Sequence, residues 1–218
     1  MLISVDGKIS TGSTNERDVD KDYKTIPGVM EGLHQYYEIE KTTDLFSLNS
    51  GKVMAKIGVN SPSNQINCPN VNFVIMDNKN LNKDGITNLC DNLKKLYLVT
   101  TNKDHPAYFI KKDNLEIIYY KVADFHDLFR RLKHKHQAER VTIQSGGTLN
   151  SMFIRNGLVD ELSVVVAPCL IGGTETPTLM DGRSLITEDD LKQIKSLHIK
   201  EVNRLKDNYL HLIYTVNQ

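Results

Sequence analysis

Two adjacent glycines where a strand runs into a helix are the residues of this chain best suited to chemistry. Gln144-Ser145-Gly146-Gly147-Thr148 follows the apolar stretch Val141-Thr142-Ile143 and precedes Leu149, Met152 and Phe153 at helical spacing. Without Cβ atoms at Gly146 and Gly147, a ligand can approach the backbone closely. The free N–H groups and positive dipole end of the following helix favour a phosphate at the same place. The same residues also suit a tight strand-to-helix turn with no ligand, and by themselves they leave both readings open.

Further along come Gly157-Leu158-Val159-Asp160-Glu161, an apolar run from Leu162 to Ala167, and Ala167-Pro168-Cys169-Leu170-Ile171-Gly172-Gly173. Near the start stands Ser4-Val5-Asp6-Gly7-Lys8-Ile9. In this order the set resembles the dihydrofolate-reductase-like reductases of riboflavin biosynthesis, of the RibD C-terminal domain type. Those enzymes reduce a ribosylaminopyrimidine phosphate with NADPH. The likeness runs along nearly the whole chain. It is strongest from Val141 to Gly173 and at Ser4 to Lys8, and weak between Asn15 and Gly51. It implies one α/β domain over residues 1–218, with a mixed, mostly parallel central sheet flanked by helices and a C-terminal antiparallel hairpin. It implies a hydride-transferring enzyme, 5-amino-6-(5-phosphoribosylamino)uracil reductase, or a reductase of another small heterocycle or pteridine. A nucleotide-binding protein that kept the fold without turnover is the alternative of a different class.

Hydride transfer needs two binding sites that meet rather than a triad, because the nicotinamide must lie against the substrate in a near-attack pose. The resemblance implies that Gly146 and Gly147 lie at the pyrophosphate, with Thr148 and Leu149 extending that surface; the bond between the two glycines is cis in dihydrofolate reductase. Thr148 could equally be only an N-cap. Pro168, Gly172 and Gly173 would form a loop closing over nicotinamide and substrate. Ser4, Asp6 and Lys8 match the opening motif on the substrate side. Asp6 would accept hydrogen bonds from a sugar hydroxyl or pyrimidine amine, and Glu161 would orient the same substrate; these two are the candidate catalytic carboxylates. Asp-Gly is also an ordinary turn signal, and Asp160-Glu161 an ordinary solvated pair.

Where the related reductases carry Gly-x-x-Thr against cofactor phosphates, this chain has Gly51-Lys52-Val53-Met54. Met54 removes the hydroxyl, and Lys52 could supply charge instead. Lys79, Thr101 and Lys103 follow strand-like runs and are candidates for the cofactor 2′-phosphate, since ligands of open α/β sheets bind at the carboxyl edge. Asp77 points the other way, because an acid near the ribose favours NADH; the resemblance favours NADPH. A sugar phosphate needs cations, and Arg17 is the candidate, with Lys21 and Lys24 nearby. Dihydrofolate would need a buried acid, for which only Glu31 or Glu38 could be proposed.

These residues need elements to hold them. Val71–Met76, Leu96–Thr100, Leu115–Tyr120 and Val141–Gln144 read as strands, and Leu45-Phe46-Ser47-Leu48 as another. Ile86, Leu89, Cys90 and Leu93 repeat at helical spacing, and Asp124 is a plausible N-cap for a helix carrying Phe125, Leu128, Phe129 and Leu132. Helices between strands imply parallel crossovers. His198–Leu205 and Tyr209–Val216, joined by Lys206-Asp207-Asn208, read as a hairpin. The Asn- and Ser-rich stretch Gly58–Asn72 reads as a surface loop. The first strand, which the resemblance puts at a sheet centre, looks clipped: either the true start lies upstream or the strand is short.

Composition sets limits. Lys plus Arg and Asp plus Glu number 27 each, so no global charge attracts nucleic acid or an anionic membrane, and a phosphate site must be built locally. No apolar run approaches the roughly 20 residues of a membrane span, and no signal peptide opens the chain. The three cysteines, Cys68, Cys90 and Cys169, form no C-x-x-C pattern. That argues for a reducing cytoplasm, no disulfide framework and no zinc site. It also excludes the zinc deaminase signature, so the resemblance covers only the reductase part of the fused deaminase-reductases. The histidines are scattered, with His134 and His136 in what reads as a solvated helix end. Related reductases often pair as homodimers, and the Leu162–Ala167 strand and the hairpin offer apolar surface for this.

Overall fold

The computed structural model describes residues 1–61 and 68–217. In chain order the elements are β1 (Leu2–Ser4), α1 (Val19–Asp22), α2 (His34–Glu40), β2 (Phe46–Ser50), α3 (Gly51–Lys56), β3 (Cys68–Met76), α4 (Lys83–Asn92) and β4 (Leu93–Thr100). There follow β5 (Leu115–Tyr119), α5 (Phe125–His136), β6 (Thr142–Ile143), α6 (Gly147–Arg155), β7 (Glu161–Ala167), β8 (Leu197–Arg204) and β9 (Leu210–Val216). The chain divides into two compact units, Met1–Thr42 with Gly146–Gln218, and Thr43–Ser145.

The unit Thr43–Ser145 is a five-stranded sheet in the order β5-β4-β3-β2-β6, parallel throughout. Helices cover both faces, so its central strands are apolar without alternation. Phe73 and Ile75 of β3 and Leu96 and Leu98 of β4 pack with Met54 of α3 and with Ile86, Leu89 and Cys90 of α4. The alternate residues Val74, Tyr97 and Val99 are buried as well. Tyr97 meets the ring of His136 in α5, centroid to centroid at 4.5 Å. Asp124 caps α5 by accepting from the Asp127 N–H, and Leu128 and Leu132 are its buried residues. His136 is therefore not in a solvated helix end: its side chain is 6% exposed, because the Tyr97 ring covers it, while His134 is exposed. Of the expected loop Gly58–Asn72, residues 62–67 lie outside the described residues. Cys68–Asn72 belong to β3, where pairing with β4 from Cys68↔Leu93 onward overrides the polar local sequence.

The other unit holds a ladder in the order β1-β7-β9-β8. β1 runs parallel to β7, Leu2 opposite Val165 and Ser4 opposite Ala167. β9 is antiparallel to both β7 and β8. β1, expected at a sheet centre, is the terminal strand of this ladder. The β8–β9 hairpin turns through Asp207 and Asn208, whose φ values of 54° and 64° are those of a type I′ turn, favoured because it matches the strand twist. Tyr23 and Tyr209 are fully enclosed among Leu2, Val165 and Ala167, and the Tyr209 hydroxyl donates to the Val29 carbonyl at 2.7 Å. No residue of β8 is buried. Among the described residues no helix is long and apolar enough to cross a membrane.

Candidate functional site

Because β1 and β7 are parallel and end together, the loops that leave them meet. The buried Ser4 hydroxyl donates to Asp6 Oδ1 at 2.5 Å and accepts from the Lys8 N–H at 2.9 Å. Asp6 also accepts from the N–H groups of Ile171 at 3.1 Å and Gly172 at 2.6 Å. Lys8 Nζ donates to the carbonyls of Gly173 at 2.7 Å and Thr176 at 3.0 Å. The backbone closes the joint, with Ile9 donating to Pro177 and Leu179 to Gly7. Gly172 and Gly173 have φ of 71° and 85°, a left-handed pair that a side chain would strain. The Ser4 hydroxyl is the largest influence on the Asp6 carboxyl; burial opposes it, and the Gly172 and Ile171 N–H groups add to it, so that the carboxyl is held at about 2. Asp6 is thus an anion at neutral pH with no proton to give. Ser4, Asp6, Lys8, Gly172 and Gly173 are brought together, and Pro168, half-buried, opens the same loop.

Glu161 is not with them. It begins β7 while the loop leaves its other end, roughly 20 Å away at about 3.3 Å per strand residue. Its carboxylate pairs with Lys200 Nζ at 2.6 Å on the exposed hairpin side. Arg17 is 62% exposed and lies 3.8 Å from Asp22, too far for a hydrogen bond and close enough for loose attraction. Glu31 and Glu38 are both exposed, so neither is the buried acid that dihydrofolate would require.

Gly146 is the N-cap of α6 and offers no side-chain cap to the helix, so the first-turn N–H groups are suited to an anion. The two glycines differ in surroundings. A Cβ on Gly146 would meet nothing within 4 Å, whereas one on Gly147 would collide with the Thr178 carbonyl and the Asp181 carboxylate. Gly147 is thus required by packing, and Gly146 leaves the surface open. The bond between them is trans, as are all peptide bonds among the described residues. Thr148 lies inside the helix rather than at its cap, and is exposed; Leu149 is half-buried. A groove of about 390 Å³ runs beside α6, lined by Thr148, Ser151, Arg155, Asp181 and Arg183. Its two arginines carry no motif or spacing in the sequence that marks them.

In the unit Thr43–Ser145 the strand order runs outward from β2 through β3, β4 and β5 and then returns to place β6 on the other side of β2. Such a reversal opens a crevice at the carboxyl ends, the usual ligand position in open α/β sheets. Polar residues are buried there: Ser47 donates to Gln144 Oε1 at 3.2 Å, and Asn49 Nδ2 donates to Ser47 at 3.0 Å. Ser50 ends β2 and caps α3 by accepting from the Val53 N–H. Gly51 opens the helix so close to β3 that a Cβ would strike the Asp77 carboxylate. Lys52 is exposed, and Met54 is a core residue of the sheet face. That location explains why a hydroxyl is absent: the position points into apolar packing.

The next two strand ends are tied together. The Asn78 side chain accepts from the Thr101 N–H at 2.8 Å and from the Thr100 hydroxyl at 3.0 Å. Asp77 and His105, buried side by side, meet at 3.0 Å. Burial alone would push the Asp77 carboxyl up, but hydrogen bonds from His105, Leu81 and Asn80 outweigh it and hold the carboxyl at about 2. Lys79 and Lys103 are exposed, the latter with Nζ 5.9 Å from the Tyr119 ring centre. His105 had no sequence signal beyond its place in the turn before Pro106. Among the described residues, no group of three or more His, Cys, Asp or Glu side chains could hold a metal ion.

A family model described as the RibD C-terminal domain matches residues 1–206. The chain is 35% identical over 94 residues to a 2,5-diamino-6-ribosylamino-4(3H)-pyrimidinone 5′-phosphate reductase of Methanothermobacter thermautotrophicus, covering 43% of this chain and 41% of that one. It is 34% identical over 64 residues to the Archaeoglobus fulgidus protein of the same name, covering 29% of each. The matched stretches thus span less than half the length of these relatives. Among solved structures, Acinetobacter baumannii RibD aligns over 100% of this chain and 57% of its own, with a TM-score of 0.67 and 16% identity. The riboflavin biosynthesis reductase Rib7 of Saccharomyces cerevisiae aligns over 99% and 87%, with a TM-score of 0.61 and 16% identity. At these identities the two structures establish the shared fold.

Proposed function

Because this chain belongs to the RibD C-terminal domain family, we propose that it is an NADPH-dependent reductase of a ribosylaminopyrimidine 5′-phosphate, folded as one reductase domain over residues 1–218. One observation carries the reading. The motif residues that bear the family likeness, Asp6, Lys8, Gly172 and Gly173, are hydrogen-bonded into a single joint. When bound, NADPH supplies a hydride. The substrate's glycosylamine opens to a C1′=N imine; hydride is added at C1′, a proton from water goes to the nitrogen, and a ribitylamine results. Asp6, fixed as an anion, orients the substrate's hydroxyl and amine donors through the lone pair its three internal donors leave free. Lys8 holds the Gly172–Gly173 loop in place, and Ser4 acts through Asp6. Pro168 sets the start of that loop, and Arg17 is the cation offered to the phosphate. Glu161 orients nothing in this scheme and is a surface ion pair.

Each unit, taken by itself, carries residues proposed for cofactor binding: Gly51, Lys52, Lys79 and Thr101 in Thr43–Ser145, and Gly146, Gly147, Thr148, Leu149, Gly172 and Gly173 in Met1–Thr42 with Gly146–Gln218. They fit such a ligand on two counts: α6 lacks a side-chain cap next to the open Gly146, and exposed lysines stand at the carboxyl edge of the parallel sheet. Met54 at the place of the usual threonine supports the rival reading, a nucleotide-binding protein without turnover. We further propose a homodimer, supported by the wholly unburied strand β8 with Leu197, Ile199 and Val202 open, and a cytoplasmic location, supported by the free thiols of Cys68, Cys90 and Cys169.

The deciding experiment follows NADPH oxidation with three compounds offered separately: 5-amino-6-(5-phosphoribosylamino)uracil, its 2,5-diamino-pyrimidinone counterpart, and dihydrofolate. Oxidation with either pyrimidine but not with dihydrofolate supports the reading, and the faster of the two names the substrate. NADPH binding without oxidation by any of them would replace it with the binder.

A further inference from the structure

Asp77 is the group whose chemistry runs against the proposed cofactor. In open α/β sheets an acid at the end of the strand beside the first phosphate-binding turn accepts from the ribose 2′-hydroxyl and selects NADH, whereas a 2′-phosphate calls for a cation. Asp77 occupies that position, since it directly follows β3, which adjoins β2, and β2 ends at Ser50 just before Gly51 opens α3. It is nevertheless withdrawn. Its side chain is fully enclosed. It accepts from the Asn80 N–H at 3.0 Å, Asn80 Nδ2 at 2.6 Å, the Leu81 N–H at 2.9 Å and His105 Nε2 at 3.0 Å. A carboxylate offers about four lone-pair positions, so no acceptor is left for a ribose hydroxyl. His105 is fixed in turn: its Nδ1 accepts from the Ala107 N–H at 3.2 Å, which leaves the proton on Nε2, facing Asp77. Asn78 ties the same turn to Thr100 and Thr101, and Lys52, Lys79 and Lys103 are exposed at this edge, with the exposed Asp104 beside Lys103.

We infer that His105 and Asp77 are a specificity-determining pair, in which His105 holds the carboxylate inward and satisfied so that this edge reads a 2′-phosphate rather than a 2′-hydroxyl. The inference rests on the proposed nucleotide site and deepens it. His105 touches no ligand; it is a positioning residue that acts through Asp77. Without its N–H, the carboxylate keeps its charge, loses a donor and regains an acceptor, which repels a phosphate dianion and invites a hydroxyl.

The test needs no turnover. The full chain is titrated calorimetrically with 2′,5′-ADP and with 5′-AMP. The wild type should bind 2′,5′-ADP at least about tenfold more tightly, as charge-assisted contacts to one phosphate supply. His105→Phe should lower that ratio about tenfold, and His105→Gln, whose amide can still donate to Asp77, should keep it within about threefold. Should His105→Phe not fold by circular dichroism, Asn78→Ala, which cuts the other tie of the same turn, should also lower the ratio. A merely structural role would weaken both ligands alike, and an unchanged ratio in the variants overturns the inference alone. A wild type that binds neither nucleotide overturns the cofactor reading, and the inference with it.

Discussion

Asp6 sets the terms at the scale of single residues. Three donors converge on its carboxylate, so Asp6→Asn places an amide N–H against backbone N–H groups and releases the Gly172 loop. A misplacement of about an ångström can cost roughly a hundredfold in rate, and a fall of that order in kcat/KM is expected for Asp6→Asn. Since the folded carboxyl is held at about 2, below its ordinary 3.8, its anchoring is complete above about pH 4 and is lost only as pH falls towards 2. An ionisation near pH 6 in the kcat/KM profile that vanishes in Asp6→Asn would contradict this. Glu161→Gln is the contrasting case. Surface ion pairs such as Glu161–Lys200 contribute about 0–1 kcal/mol, and steady-state kinetics should find activity within about twofold of wild type; a hundredfold loss would return Glu161 to the reaction.

Elements decide how two identical residue types come to differ. Gly146 has φ −75° and ψ 163°, ordinary extended backbone, with open space where a Cβ would go. Gly146→Ala should therefore keep its thermal midpoint and raise the apparent Kd for NADPH, measured by fluorescence titration. Gly147→Ala must push into Thr178 and Asp181 and should lose roughly 1–3 kcal/mol of stability, as overpacking does. Equal stability losses in both would mean that neither glycine is kept open for a ligand. The joint of the β1 and β7 loops behaves similarly: Gly172→Ala at φ 71° should cost about 1–2 kcal/mol along with activity.

At the scale of the whole molecule, the exposed edge strand β8 is a liability unless it is covered. Leu197, Ile199 and Val202 lie open along it. Sedimentation velocity should find a dimer, and Ile199→Lys should shift it to monomer; a monomeric wild type at micromolar concentration would count against the pairing.

The local sequence specified much of this. Asp124 capping α5, the Asp207-Asn208 turn and the apolar runs of β3, β4 and β7 follow from periodicity and cap chemistry, which act over a few residues. The order of Ser4–Lys8, Gly146–Gly147 and Gly172–Gly173 was enough to identify the family. Long-range pairing was decided elsewhere. Only the parallel register of β1 with β7 brings Asp6 to Gly172 and leaves Glu161 at the strand's far end. Only the β3–β4 pairing draws Cys68–Asn72 out of a loop. Only the tertiary packing buries His105 against Asp77, turning an acid that reads as NADH-selective into a satisfied internal anchor. Sequence spacing carries no information about which of two distant acids will be desolvated and which will stay in water, because that is fixed by the strands and loops packed around them.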